Sequence, residues 1–431
     1  MSKERRIIQV EERVPLAQGI PLSIQHTFAM FSASVLVPWL FGMSASIVLL
    51  MNGIGTLLFI LITKGKAPAY LGSSFAFLSP TFILLENPDY GYQYALGGFI
   101  VTGLIFCIVA LIIKFVGTKW IDAILPPAAM GPIVALIGLE LAGSAAENGG
   151  LILSDTYTEI NPKFIAVFLV TIIVAVIGQV IFRGFASALA ILIAIITGYA
   201  FSMALGLVDF ASVAQSEVFA VPNFMLPKFN IEAILIVIPA TLVIISEHIG
   251  HQVVTSEIVG RDLLKDPGLH RSIFADGFST MLSGFCGSVP TTTYGENIGV
   301  MAVTKVYSVW VIGGAAVFSI ILAFFAPASA LISTIPGPVM GGISFLLYGM
   351  IAASGLRLIV DKKVNYGKAR NLAMTALIFV TGLSGAFIQI GNIRLTGMSL
   401  SAIVGMLLGL TFYIVDKLGI ANDKDEPDTI E

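Results

Sequence analysis

The densest run of ionisable side chains in the apolar part of the sequence is Ser246-Glu247-His248-Ile249-Gly250-His251. On a helix Glu247 and His251, four apart, share a face, whereas His248 points elsewhere. A carboxylate beside an imidazole can share a proton, which is the equipment of a proton relay; the bland alternative is a pair that merely satisfies two buried groups. A metalloprotease zinc box needs histidines four apart flanking the Glu; here they are three apart with the Glu outside, so no metal is expected. Glu296 closes a second candidate stretch, Gly284 to Asn297, whose Pro290-Thr291-Thr292-Thr293 favours extended chain over helix. A matching stretch, Pro68-Ala69-Tyr70-Leu71-Gly72-Ser73-Ser74-Phe75-Ala76-Phe77-Leu78-Ser79-Pro80, is polar and aromatic between two prolines. Two carboxylates, free backbone N–H groups and the rings of Phe75 and Tyr294 suit a small planar ligand with N–H donors and carbonyl acceptors. A nucleobase has that pattern, and the residues alone do not choose among bases. Glu140 and Glu257 lie near span ends, where a solvated or interfacial role is expected. His26 is expected to be a hydrogen-bonded structural histidine.

The elements that must hold these groups are membrane spans. Of 431 residues 57% are hydrophobic and 11% charged, against roughly a quarter charged in a soluble domain. Mean hydropathy is +0.95. A net charge of -3 without a basic patch excludes nucleic-acid binding, and Cys107 and Cys286, both in apolar runs, make no disulfide framework. Residues 1–20 are charged and polar and carry no secretory cleavage pattern. Apolar runs near 22–41, 45–63, 68–86, 92–113, 123–142, 163–182, 186–207, 231–254, 272–288, 290–304, 307–326, 336–356, 371–390 and 397–416 give about fourteen candidate spans. With a cytoplasmic N-terminus, 20 of the 23 basic residues fall inside, leaving Lys163, Lys228 and Arg394 outside.

The two halves echo each other. Asn52-Gly53-Ile54-Gly55-Thr56 returns as Asp276-Gly277-Phe278-Ser279-Thr280, and Leu96-Gly97-Gly98 as Ile312-Gly313-Gly314. Pro126, Met130, Gly131, Ile133 and Leu136 return as Pro336, Met340, Gly341, Ile343 and Leu346. Seven spans per half is an odd number, so the second half runs through the membrane inverted, as in many secondary transporters. No phosphate-binding loop appears, so ATP is not the expected energy source. The expected fold is an all-α polytopic membrane protein of two inverted seven-span repeats, with short extended strands in spans 3 and 10.

Glu296-Asn297-Ile298-Gly299, running on to Thr304-Lys305, resembles the signature of the nucleobase–ascorbate transporter (nucleobase:cation symporter-2) family. Gln25-His26, Tyr70-Leu71-Gly72-Ser73-Ser74-Phe75, Glu247-His248-Ile249-Gly250-His251 and Thr292-Thr293-Tyr294-Gly295-Glu296-Asn297 closely resemble its bacterial members that import uracil. The resemblance covers essentially the whole chain apart from the termini and the polar loops near 144–162 and 209–230. It implies a core domain, 21–118 and 231–328, and a gate domain, 119–230 and 329–418, between a cytoplasmic segment 1–20 and a cytoplasmic tail 419–431. It implies uracil import with a proton, no cofactor, no enzymatic activity, and a homodimer in the plasma (inner) membrane. By the same resemblance Glu247 and Glu296 would hold the ring, the backbone of Phe75 and Gly295 would meet a carbonyl, and Tyr294 would wall the pocket. His251, together with Glu247 and Glu296, would couple the proton, and Tyr348 would face the site from the gate. Purine and xanthine members usually carry Gln where Glu296 stands, so a pyrimidine is favoured over another nucleobase. An anion exchanger or channel on the same scaffold, and an intramembrane metalloenzyme, are the rival classes; Glu247 and Glu296 argue against an anion.

Overall fold

The computed structural model describes residues 6–154, 157–183, 185–390 and 393–423. Lys3, Glu4, Arg5 and Lys424, counted above in the terminal segments, lie outside the described residues. The chain is mostly helical, as an apolar environment requires of a backbone that must satisfy its own N–H and C=O groups. The principal elements are α1 (Leu16–Leu40), α2 (Ala45–Ile62), β1 (Leu71–Ser73), α3 (Leu78–Glu86), α4 (Tyr92–Val116), α5 (Pro127–Asn148), α6 (Pro162–Ile181) and α7 (Ala190–Ala204). There follow α8 (Ala240–Val259), α9 (Leu269–Cys286), β2 (Thr291–Thr293), α10 (Gly295–Thr304), α11 (Val309–Phe324), α12 (Gly337–Asp361), α13 (Ala369–Leu383), the strands β3 (Phe387–Ile390) and β4 (Ile393–Thr396), and α14 (Gly397–Leu418). Among the described residues eight helices are long and apolar enough to cross a membrane, and four shorter apolar helices accompany them. Several ends carry their own signals. Ser44, Asn161, Asn230 and Ser308 cap N-termini through their side chains. Gly260, Gly287 and Gly419 close α8, α9 and α14 in the left-handed region.

Two groups of helices pack chiefly within themselves, with a shared apolar cluster between them. In the first, α4 crosses α9, and α2 packs on α9 and α11, with α1 against α11. In the second, α5 lies along α12, α6 packs on α7 and α12, and α13 and α14 pack on α5 and on each other. Small residues set both central crossings, as expected where lipid removes any hydrophobic drive between helices. A Cβ on Gly103 would stand 2.5 Å from the Gly277 carbonyl, and one on Gly138 2.0 Å from the Tyr348 carbonyl. Large apolar side chains such as Leu104, Leu111, Ile177 and Val180 are exposed, which suits a lipid-facing rim.

The structure departs from or narrows the sequence expectation at three places. The run 371–390 ends as a helix at Leu383, and Phe387–Ile390 pairs antiparallel with Ile393–Thr396, Ile390 opposite Ile393. Alternating β-branched residues after Gly385, whose φ is +72°, make that hairpin. Glu140 is half-buried, nearer the interfacial than the solvated expectation, and its Oε2 accepts the Met398 N–H at 3.0 Å at the start of α14. Glu257 is exposed, as expected of a span-end carboxylate. Before α1 the segment runs as an added strand: Ile8 N–H donates to the Lys305 carbonyl (3.0 Å), and Tyr307 and Val309 donate back to Ile8 (2.8 Å) and Val10 (2.9 Å). The Glu11 carboxylate accepts from Arg261 at 2.6 Å, and that guanidinium holds the Glu11 carboxyl below the usual carboxylate range.

Candidate functional site

Both interrupted stretches contain the strand their sequences imply, and the two strands meet. β1 and β2 pair antiparallel, with Leu71 opposite Thr293, Gly72 opposite Thr292 and Ser73 opposite Thr291, all buried. The ladder continues past each end, Ser74 N–H to the Pro290 carbonyl (2.9 Å) and Tyr294 N–H to the Tyr70 carbonyl (3.2 Å). A two-stranded ribbon leaves outward N–H and C=O groups that need partners when buried. Two threonines supply them. Thr56 on α2 accepts from Leu71 N–H at 2.9 Å and donates to its carbonyl at 3.4 Å. Thr280 on α9 does the same for Thr291, at 3.2 and 2.8 Å. These are the threonines that correspond in the sequence echo between the halves.

Gly72 permits the crossing. A Cβ there would fall 2.2 Å from Cζ of Tyr294, whose hydroxyl donates to the Ser73 carbonyl at 3.1 Å. Gly72→Ala must therefore displace the ring or the strand. Overpacking of this kind costs about 1–3 kcal/mol, and the expected result is a lower melting temperature in detergent together with reduced uptake. A variant unchanged in both would refute this account of Gly72.

Each strand feeds a helix start. β1 passes through a short 3-10 turn at Phe75–Phe77 into α3, and β2 passes through Tyr294 into α10, whose first turn carries Glu296. Glu247 and His251 lie on α8, one helical turn apart. His251 Nδ1 bonds Thr293 Oγ1 at 3.1 Å, and its Nε2 stands 3.3 Å from where a Gly295 Cβ would be. The fold thus places His251, Thr293, Tyr294 and Gly295 together, with Tyr294 itself 4% exposed against Gly72. Glu247 and Glu296 are half-buried and within electrostatic reach of one another. Among the described residues no cationic side chain pairs with either carboxylate. Phe75 is half-buried and touches three apolar clusters. Tyr348 on α12 is fully buried in one of those clusters.

One charged group in this region escaped the sequence reading. Asp276 on α9, wholly buried, accepts from His248 at 2.8 Å and from Thr292 Oγ1 at 3.3 Å through the same Oδ2. It ties α8, α9 and β2 together behind the carboxylates. The signal was present: an aspartate inside the apolar run 272–288, opposite Asn52 in the sequence echo. Asn52 is likewise buried and donates to Ser34 Oγ at 3.0 Å. His248 thus turns to Asp276 rather than to Glu247. His26 bonds Asn297, next to Glu296, at 2.9 Å, the structural role expected of it.

Apolar helices crossing a membrane many times, interrupted at a buried strand pair beside two uncommitted carboxylates, define a multi-pass membrane permease. Residues 17–391 match the model of the family described as "Permease family", and the chain belongs to that family, the nucleobase–ascorbate transporters. It is 54% identical over 421 residues to the uracil permease of Paenibacillus larvae subsp. larvae, covering 97% of this chain and 99% of that one. It is 55% identical over 414 residues to the uracil permease of Escherichia coli (strain K12), covering 96% of each. These relatives are transporters, not enzymes. Among solved structures, the transmembrane domain of the cyanobacterial bicarbonate transporter BicA superposes with a TM-score of 0.61 at 13% identity, covering 94% of this chain and all of that one (100%). SLC26A9 superposes with a TM-score of 0.67 at 11% identity, covering 94% and 66%. At such identities the likeness is one of fold.

Proposed function

We propose that the chain imports uracil together with a proton by alternating access. The observation that carries this reading is the pair of half-buried carboxylates, Glu247 and Glu296, free of cationic partners and flanking the start of α10. Relatives named uracil permease at 46% to 55% identity over nearly the whole chain support the choice of base. Uracil offers two ring N–H donors for the carboxylates and carbonyls for the backbone N–H groups at Phe75 and Gly295. Helix starts aim partial positive charge at such carbonyls. Tyr294 walls the pocket, and Tyr348 closes it from the facing helix group. His251, held through Nδ1 by Thr293, presents Nε2 toward Gly295 and passes the proton to and from Glu247. An uncompensated buried carboxylate is costly to carry across; protonation removes that charge and favours movement of the loaded site. The site needs no cofactor beyond this proton.

The finer architecture belongs to the same reading: fourteen spans in two inverted seven-span repeats, with both termini cytoplasmic. The matched clamps, Thr56 of α2 holding β1 and Thr280 of α9 holding β2, support the repeat. The denser packing within each helix group than between them supports a core domain, 21–118 and 231–328, moving against a gate domain, 119–230 and 329–418. A homodimer would anchor the gate domains. The test is uptake of radiolabelled uracil into proteoliposomes with an imposed pH gradient and competing bases. Uptake should follow the gradient, collapse with a protonophore and be outcompeted by unlabelled uracil rather than xanthine. Xanthine outcompeting uracil would move the assignment to another nucleobase. Gradient-independent uptake, or bicarbonate exchange without uracil transport, would overturn it.

A further inference from the structure

We propose that the groove between α2 and α11 is a binding site for one anionic phospholipid, its phosphate held by Arg13 and Lys64. The groove has a volume of about 610 Å3 and is walled by Leu57, Ile60, Val309 and Val317. Three observations carry the assignment. First, the groove has a charged mouth and an apolar body. Arg13, Lys64 and Glu11 border it, but the Glu11 carboxylate is taken by Arg261. Among the described residues neither Arg13 nor Lys64 has a carboxylate partner. Secondly, the Arg13 guanidinium lies 4.3 Å from the centre of the Trp310 ring, which is 53% exposed. A tryptophan at the level of a basic pair is the usual composition of a membrane interface. Leu57 and Val317, further into the groove, are exposed apolar side chains that a hydrocarbon chain would cover.

Thirdly, the groove exists because one half of the chain leaves open what the other half fills. In the echo of Leu96-Gly97-Gly98 by Ile312-Gly313-Gly314, a Cβ on Gly97 would meet the Lys228 carbonyl at 2.2 Å. Polypeptide covers that double glycine. A Cβ on Gly313 would meet nothing nearer than Ile60 Cδ1 at 3.6 Å and Leu57 Cδ2 at 3.8 Å. The segment before α1 pairs with Lys305, Tyr307 and Val309 and borders the groove through Glu11 and Arg13 without reaching Gly313. An acyl chain fits over Gly313, with the phosphate at the level of Arg13 and Lys64. Basic pockets between spans at the membrane surface bind anionic headgroups in this way.

The test is a full-length chain with Trp310 as its sole tryptophan (Trp39→Phe, Trp120→Phe), reconstituted in phosphatidylcholine vesicles doped with acyl-brominated lipid. Each basic side chain near an anionic headgroup is worth roughly fivefold in partition, so two give about 25-fold. Brominated phosphatidylglycerol should quench Trp310 at a correspondingly lower mole fraction than brominated phosphatidylcholine. The preference should fall to near unity in Arg13→Gln/Lys64→Gln and persist in Arg13→Lys, which keeps the charge. Gly313→Leu should weaken the quenching with both charges intact, because it fills the path of the acyl chain. Equal quenching by the two lipids in the parent chain, or a preference that survives the double neutralisation, overturns the proposal. Uptake measured in the same vesicles keeps this result separate from the transport reading.

Discussion

Glu247→Gln abolishes uracil uptake driven by a pH gradient. The substitution keeps the volume and the helix but removes the charge and the group that takes a proton. Hydrogen bonds to a charged partner contribute about 1.5–3 kcal/mol, so equilibrium binding of uracil should weaken by roughly 10- to 150-fold. Coupling should be lost as well. Residual uptake at high uracil concentration should no longer respond to the gradient, because Gln cannot exchange a proton in this range. Glu296→Gln should weaken binding by a similar factor and blunt the gradient response without abolishing it, since Glu296 lies within electrostatic reach of Glu247 while Glu247 and His251 remain. The assays are counterflow, which reads binding and translocation without a driving force, beside gradient-driven uptake. Wild-type uptake with wild-type pH dependence in Glu247→Gln would remove Glu247 from the mechanism.

The second large effect falls on a residue that touches no ligand. Asp276→Ala leaves His248 without its partner in a site where the two side chains are 0% and 1% exposed. Leaving a buried hydrogen-bond partner unsatisfied costs about 1–3 kcal/mol, enough to lower the melting temperature in detergent measurably. Asp276→Asn, the residue type found at Asn52, preserves an acceptor for His248 and Thr292 and should cost much less. His248→Ala combined with Asp276→Ala should cost less than the sum of the single changes, since the pair is then removed together. Strict additivity would mean that the two side chains do not act as a unit.

Much of the site was legible in the sequence because its signals are local. Charges are rare in apolar runs, so Glu247, His251 and Glu296 stand out by type alone. Proline and three threonines argue against helix at 290–293 whatever surrounds them, and β2 forms there. The hairpin at 387–396 was missed for the complementary reason: its first strand, Phe387–Ile390, continues the apolar run of α13, and hydropathy cannot distinguish a strand from a helix end. Glu140 looked like a span-end carboxylate because nothing nearby reveals the backbone N–H of Met398, 258 positions away, that it accepts.

By itself, then, the sequence determined the membrane setting, the positions of most helices, the two interruptions and the residue types able to exchange a proton, all properties of hydropathy and backbone preference within a few residues. Only the tertiary structure decided which groups meet. It paired β1 with β2, placed Thr56 and Thr280 on their outer edges, set His251 on Thr293 and gave His248 to Asp276 rather than to Glu247. These contacts join residues 11 to some 220 positions apart, from Thr280 with Thr291 to the Ser73–Thr291 strand pair. The physical reason is that a buried polar group takes whichever partner packing brings within about 3 Å.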